Sequence, residues 1–188
     1  GYKNYTAFKD EVIFERIVRL KQIRDRYESF EKNKIIQIMS QLRHHLINMD
    51  EIDKICKQIN EHERFIAYGS PTLLNLLFDF QVDMKMFDKT VLLSSVNNGK
   101  ILVPKNNDLI GLFTATGRLL GCCDAKFQEV VLDTKNTKIL FSKSQINSEY
   151  IDFSFSMDTD NDYYEMHYVF LFLFDLIKTR YYELYIKE

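Results

Sequence analysis

The stretch Arg64-Phe65-Ile66-Ala67-Tyr68-Gly69-Ser70-Pro71-Thr72 marks the point where the pattern of this 188-residue chain changes. Residues 65–68 form a short apolar run ended by glycine, long enough for a buried strand and too short for a helix. Ser70 stands where a helix N-cap belongs. Pro71 takes the first helical position, where its missing N–H costs nothing. The helix is predicted to continue through Leu73, Leu74, Leu77 and Phe80.

The same alternation repeats downstream. Strands are predicted at residues 90–93, 109–113, 137–141 and 150–155. Thr114-Ala115-Thr116-Gly117 ends the third strand and leads into a helix around residues 120–132, and a long helix from about 162 to 185 closes the chain. Unbroken apolar strands alternating with helices imply a parallel sheet covered on both faces. The expected class is α/β, a three-layer αβα sandwich on a five-stranded parallel sheet.

Upstream of Arg64 the periodicity is helical. Phe8, Val12, Ile13, Ile17, Leu20, Ile23 and Tyr27 make one apolar stripe, and Ile35, Ile38, Met39, Leu42 and Leu46 a second. Ile52, Ile55, Cys56 and Ile59 form a third, with Asn48 or Asp50 placed to cap its start. Residues 1–48 are therefore expected as a helical segment and 49–188 as the domain.

In a doubly wound sheet, ligands sit beyond the carboxyl ends of the strands, where the strand order reverses. With the order 2-1-3-4-5, strands one and three are neighbours at that point, and the loops leaving them are 69–72 and 114–117. Both carry small hydroxyl residues. Hydroxyls, backbone N–H groups and the positive end of a helix dipole suit a phosphate, to which Arg118 could add a charge-assisted bond. In the bland alternative, Ser70 and Thr116 only cap their helices.

Composition narrows the function. A net charge of −2 argues against a nucleic-acid binder, although residues 1–34 hold nine Lys/Arg against six Asp/Glu and so are net +3. Mixed signs along helical turns favour a solvated face there. Cys56, Cys122 and Cys123 have neither metal-ligand spacing nor an even disulfide framework, which suits reduced thiols in the cytoplasm. The most apolar run, residues 168–174, is far short of the ~20 residues needed to span a bilayer. No metal and no cofactor are expected.

Other polar residues are weaker candidates. His44, His45 and His62 are expected at the surface. His167 has Glu165 and Asp162 near it, but Glu165 and His167 lie two apart on a helix and face different ways. Asp158, Asp160 and Asp162 alternate like a calcium loop but lack its glycine and distal glutamate. They are expected as an acidic cap before the last helix. That helix carries two apolar stripes, one of Met166, Val169, Phe170, Leu173, Ile177, Tyr181 and Leu184, the other of Tyr168, Phe172 and Tyr182. Its second face suits a homodimer, or burial under the first three helices.

At these residues the chain resembles the SIS (sugar isomerase) domain of RpiR-family bacterial transcription regulators. The segment Gly1-Tyr2-Lys3-Asn4-Tyr5-Thr6-Ala7-Phe8-Lys9 looks like the part that leaves that family's helix-turn-helix domain. Residues 50–69, a capped helix followed by an apolar strand ending in Tyr-Gly, look like the start of its sheet. Residues 107–117 are similar to its strand and phosphate loop, written SxSGxT, and Asp175-Leu176-Ile177 with Tyr181 also fits. The two serines of SxSGxT fall on Thr114 and Thr116 and its glycine on Gly117, while its last threonine falls on Leu119. The family's first loop, GxGxS, matches at Gly69 alone, with Pro71 and Leu73 at its other two positions.

The resemblance implies an effector-sensing domain without enzymatic activity. It would bind a phosphorylated sugar at Gly69, Ser70, Thr72, Thr114, Thr116, Gly117 and Arg118. It would act as a homodimer or higher oligomer and reach DNA only through an amino-terminal domain that this sequence nearly all lacks. A sugar-phosphate isomerase of the same fold, and a degenerate module that only dimerises, are the competing expectations.

Overall fold

The computed structural model describes residues 48–96, 101–121, 124–143, 145–156 and 163–187, all within the compact unit His44–Glu188. The expectations for residues 1–47, for Cys122 and Cys123 and for Asp158, Asp160 and Asp162 lie outside the described residues. So do those for the side chains of Glu165 and Met166.

Helix α1 (Met49–Glu61) starts at Asn48, whose side chain accepts from the Asp50 N–H at 3.1 Å. Of the two residues placed to cap it, Asn48 does so. Its stripe of Ile52, Ile55, Cys56 and Ile59 is buried. Strand β1 (Arg64–Gly69) leads into the short helix α2 (Pro71–Leu74), a single tighter turn (Asn75–Leu77) and helix α3 (Phe78–Met86). Strands β2 (Thr90–Ser95) and β3 (Asp108–Thr114) follow, then the short helices α4 (Arg118–Gly121) and α5 (Ala125–Phe127). A widened turn (Gln128–Leu132) extends α5. Strands β4 (Lys138–Ser142) and β5 (Phe153–Ser156) and helix α6 (Tyr163–Tyr185) complete the domain.

The five strands are all parallel, in the order β2-β1-β3-β4-β5. The α/β sandwich and the strand order read from the sequence are both present. Alternation along the strands separates two cores. On one face the rings of Phe65, Phe113 and Phe141 pack against Phe80 of α3 and Phe174 of α6. On the other, Ile66, Tyr68, Ile110, Leu112 and Leu140 pack against Phe127, Val131 and Leu132.

Helices α1 and α6 are tied by the Arg180 guanidinium, which donates to both carboxylate oxygens of Asp53 at 2.7 and 3.0 Å, and by the Tyr181 hydroxyl on Asn60 Oδ1 at 3.0 Å. At the amino edge of the sheet, Arg64 Nε donates to Asp108 Oδ1 at 2.7 Å, and the Lys105 N–H donates to the same carboxylate at 2.6 Å.

Several boundaries depart from expectation. The helix expected around 120–132 is broken, because Asp124 caps a new start by accepting from the Phe127 N–H at 2.7 Å. The fifth strand begins at Phe153 and not at 150, because the chain first turns where the Ile151 N–H donates to the Ser148 carbonyl. His62 is half-buried and not a surface residue: its Nδ1 lies 2.8 Å from the Gln58 carbonyl at the end of α1. Leu184, assigned to the buried stripe of the last helix, is exposed; it lies beyond Tyr181, the last buried residue of α6. Among the described residues, no helix is long and apolar enough to cross a membrane.

Candidate functional site

Parallel pairing of β1 with β3 places Gly69 opposite Phe113, so the chain leaves the sheet at neighbouring points, as Ser70 on one side and Thr114 on the other. Close approach is built in at Gly69. A Cβ there would stand 3.0 Å from both Cβ and the carbonyl oxygen of Phe113. The two strand ends expected to flank the crevice are therefore neighbours.

Each sequence-assigned residue has a definite place. Gly69 closes β1 and is buried. Ser70 is half-buried and caps α2, its Oγ accepting from the Leu73 N–H at 3.5 Å, so the bland reading holds for it. The Leu73 and Leu74 N–H groups also donate to the Ser70 carbonyl, and Pro71 has no N–H to offer. Thr72 is exposed in the first turn. This loop thus spends much of its donor capacity on its own turn.

The second loop differs. Thr114 ends β3 with 6% of its surface exposed, and its hydroxyl makes no hydrogen bond among the described residues. Thr116 is exposed and does not cap α4. That helix starts at Arg118, and the Leu120 N–H donates to the Gly117 carbonyl at 2.9 Å. Gly117 has φ +76°, in the left-handed region where only glycine is unstrained, and Ile146 Cδ1 lies 2.8 Å from where a Cβ would stand. Arg118 is exposed.

The part of the next strand, β4, at this edge was not read from the sequence. Ser142 of β4 is the register partner of Thr114 and fully buried, and Lys143, half-buried, donates its N–H to the Ala115 carbonyl at 3.4 Å. The available signal was the shared form of β3 and β4, an apolar strand ended by a hydroxyl residue. On the other flank, the Tyr68 hydroxyl donates to the Leu102 carbonyl at 2.7 Å, and the Leu102 N–H donates to Ser94 Oγ at 3.1 Å.

Helix α6 reaches the same edge. Phe170, near its start, packs on Phe113 with ring centroids 5.9 Å apart, and the half-buried His167 lies one turn earlier. Among the described residues no group of His, Cys, Asp and Glu could hold a metal ion. A cavity of about 440 Å³ lies elsewhere, at the amino end of β4, lined by Asp133, Asn136, Lys138, Glu149, Tyr150 and Asp152. Burial lowers the pKa of Lys138 there, and its ammonium donates to the Thr134 and Asn136 carbonyls.

No family model matches the chain, and no curated protein sequence matches it. Solved structures do match. The NanR protein of Vibrio vulnificus, complexed with ManNAc-6P, is similar with a TM-score of 0.64 and 13% identity, over 98% of this chain and 71% of that one. The fold is SIS-like. A Methanococcus jannaschii protein, for which a 3-hexulose-6-phosphate isomerase function is inferred, gives 0.61 at 14% identity over 80% and 86% of the two chains. A protein of Escherichia coli CFT073 in complex with a phosphosugar gives 0.58 at 13% over 82% and 93%. Among the structures sharing this SIS-like fold are both a ligand-bound NanR and phosphosugar isomerases.

Proposed function

We propose that this domain binds a phosphorylated sugar in the crevice between residues 69–72 and 114–117, and that it does so as a sensor. The observation that carries the reading is Thr114. This residue is nine-tenths buried at the switch point of the sheet, and its hydroxyl is not used by the protein among the described residues. A hydroxyl that the protein does not use, at a strand end where the chain is otherwise buried, is available to a ligand oxygen. Thr116 and the backbone turn at Gly117 supply further donors. The neighbours bound to phosphosugars, ManNAc-6P among them, support the ligand class.

In this reading the domain is the effector module of a cytoplasmic transcription regulator of the RpiR type. A homodimer would form through the outer face of α6, where Tyr168, Leu171, Phe172 and Tyr182 are exposed. Ligand binding would shift the arrangement of two subunits and so the spacing of the DNA-reading domains they carry. Thermal melts with a panel of sugar phosphates test the binding step. A rise in Tm that Thr116→Ala abolishes is expected; no rise with any phosphorylated sugar at millimolar concentration would remove the basis for sensing.

A second reading, isomerisation, has one observation in its favour. His167 lies one helical turn from Phe170, which packs against the residue preceding Thr114. An imidazole so placed could move a proton next to a carbonyl. Turnover of a ketose phosphate that is lost on Glu165→Gln or His167→Gln would establish it.

A further inference from the structure

The crevice as read from the sequence is short of charge: Arg118, the cation assigned to it, is exposed at the start of α4. We propose that Lys143 supplies the missing charge and makes the site selective for an anionic group. The inference rests on the phosphosugar reading above and deepens it.

Three observations place Lys143. It follows Ser142, whose register partner is Thr114, so it continues β4 alongside the hydroxyl loop. Its N–H donates to the Ala115 carbonyl at 3.4 Å, and three residues later Ile146 presses on Gly117, so the 115–117 loop is braced at both ends by this segment. Lys143 is half-buried and makes no ion pair among the described residues, whereas Lys178 and Arg180 are each paired with carboxylates. A half-buried lysine without an ion pair among the described residues, at the strand end next to the hydroxyl loop, suits an anion. Neighbouring strands lie about 4.8 Å apart, well within reach of a lysine side chain.

The chemistry follows. Hydroxyls and amides at 114–117 would orient the phosphate, and the ammonium would favour its charged form over a neutral sugar. A charge-assisted hydrogen bond is worth about 1.5–3 kcal/mol, or roughly tenfold to a hundredfold in affinity.

Calorimetric titrations with ManNAc-6P, arabinose-5-phosphate and inorganic phosphate test this, using wild type, K143Q, K143R, R118Q and the exposed-lysine control K126Q. The expected result is at least tenfold weaker binding for K143Q, near-retention for K143R, and no change for K126Q, with melts showing all variants folded. Unchanged binding by K143Q, or a loss found in R118Q instead, overturns the assignment of Lys143 while the phosphosugar reading stands. If K143Q is unfolded, K143M takes its place: at least tenfold weaker binding supports the assignment, and unchanged binding overturns it. Failure of all three probes to bind wild type overturns both.

Discussion

Ile146 Cδ1 lies 2.8 Å from the point a Cβ on Gly117 would occupy, and Gly117 itself has φ +76°. The backbone therefore demands glycine at the turn of the hydroxyl loop, while the tip of the Ile146 side chain packs over it and would have to move for any Cβ.

Gly117→Ala puts a Cβ on a left-handed residue, which costs on the order of 1–2 kcal/mol, and the Ile146 tip moves aside at little further cost. The expected outcome is a fall in stability of about 1–2 kcal/mol in a denaturant titration, with loss of ligand-induced stabilisation. A variant as stable as wild type would mean that the turn rearranges out of the left-handed region.

Thr114→Val replaces a hydroxyl lacking a protein partner by a methyl of similar shape. Stability should stay within about 1 kcal/mol of wild type, because no protein hydrogen bond among the described residues is lost. The thermal shift produced by a phosphorylated sugar should disappear. Stability and binding thus move apart, the pattern of a residue kept for its ligand.

Asp108 is set deep at the other edge of the sheet. Burial pushes its carboxyl pKa up, but hydrogen bonds from Arg64 and the Lys105 N–H, together with their charges, hold it below the ordinary carboxylate value. A group with a depressed folded pKa contributes stability above its unfolded pKa, about 3.9, and that contribution is lost as pH falls through the folded value. Acid titration of stability should therefore show a loss below about pH 4 that Asp108→Asn largely removes. At neutral pH the same substitution should cost about 3 kcal/mol, the low end for breaking a buried pair, because the Arg64 side chain keeps 20% of its surface in water.

Burial pushes the Cys56 thiol up to about 12. At pH 8 only roughly one molecule in ten thousand would carry the thiolate, the species that reacts. Alkylation mapped by peptide mass spectrometry should modify Cys56 only after unfolding. Rapid labelling in the native protein would mean that α1 opens from α6 locally.

The sheet was legible in the sequence because each of its inner strands is an apolar run closed by a glycine or hydroxyl residue, as at Gly69, Thr114 and Ser142. Two such ends on neighbouring strands located the place where the crevice is proposed. The break after α4 was harder to see. Asp124 followed by Phe127 is an N-cap signal, but it lies inside a run that reads equally well as one helix. Lys143 was not legible at all. Its relation to Ala115 depends on β3–β4 register, which links residues 28 apart and is a property of the sheet and not of local spacing.

Where a phosphorylated sugar binds is read from a crystal structure of the protein soaked with ManNAc-6P or arabinose-5-phosphate. Phosphate density is expected within hydrogen-bond distance of the Thr114 and Thr116 hydroxyls, beside the turn at Gly117. Phosphate density in the Lys138 cavity at the opposite edge of the sheet, with the 114–117 loop empty, would contradict it.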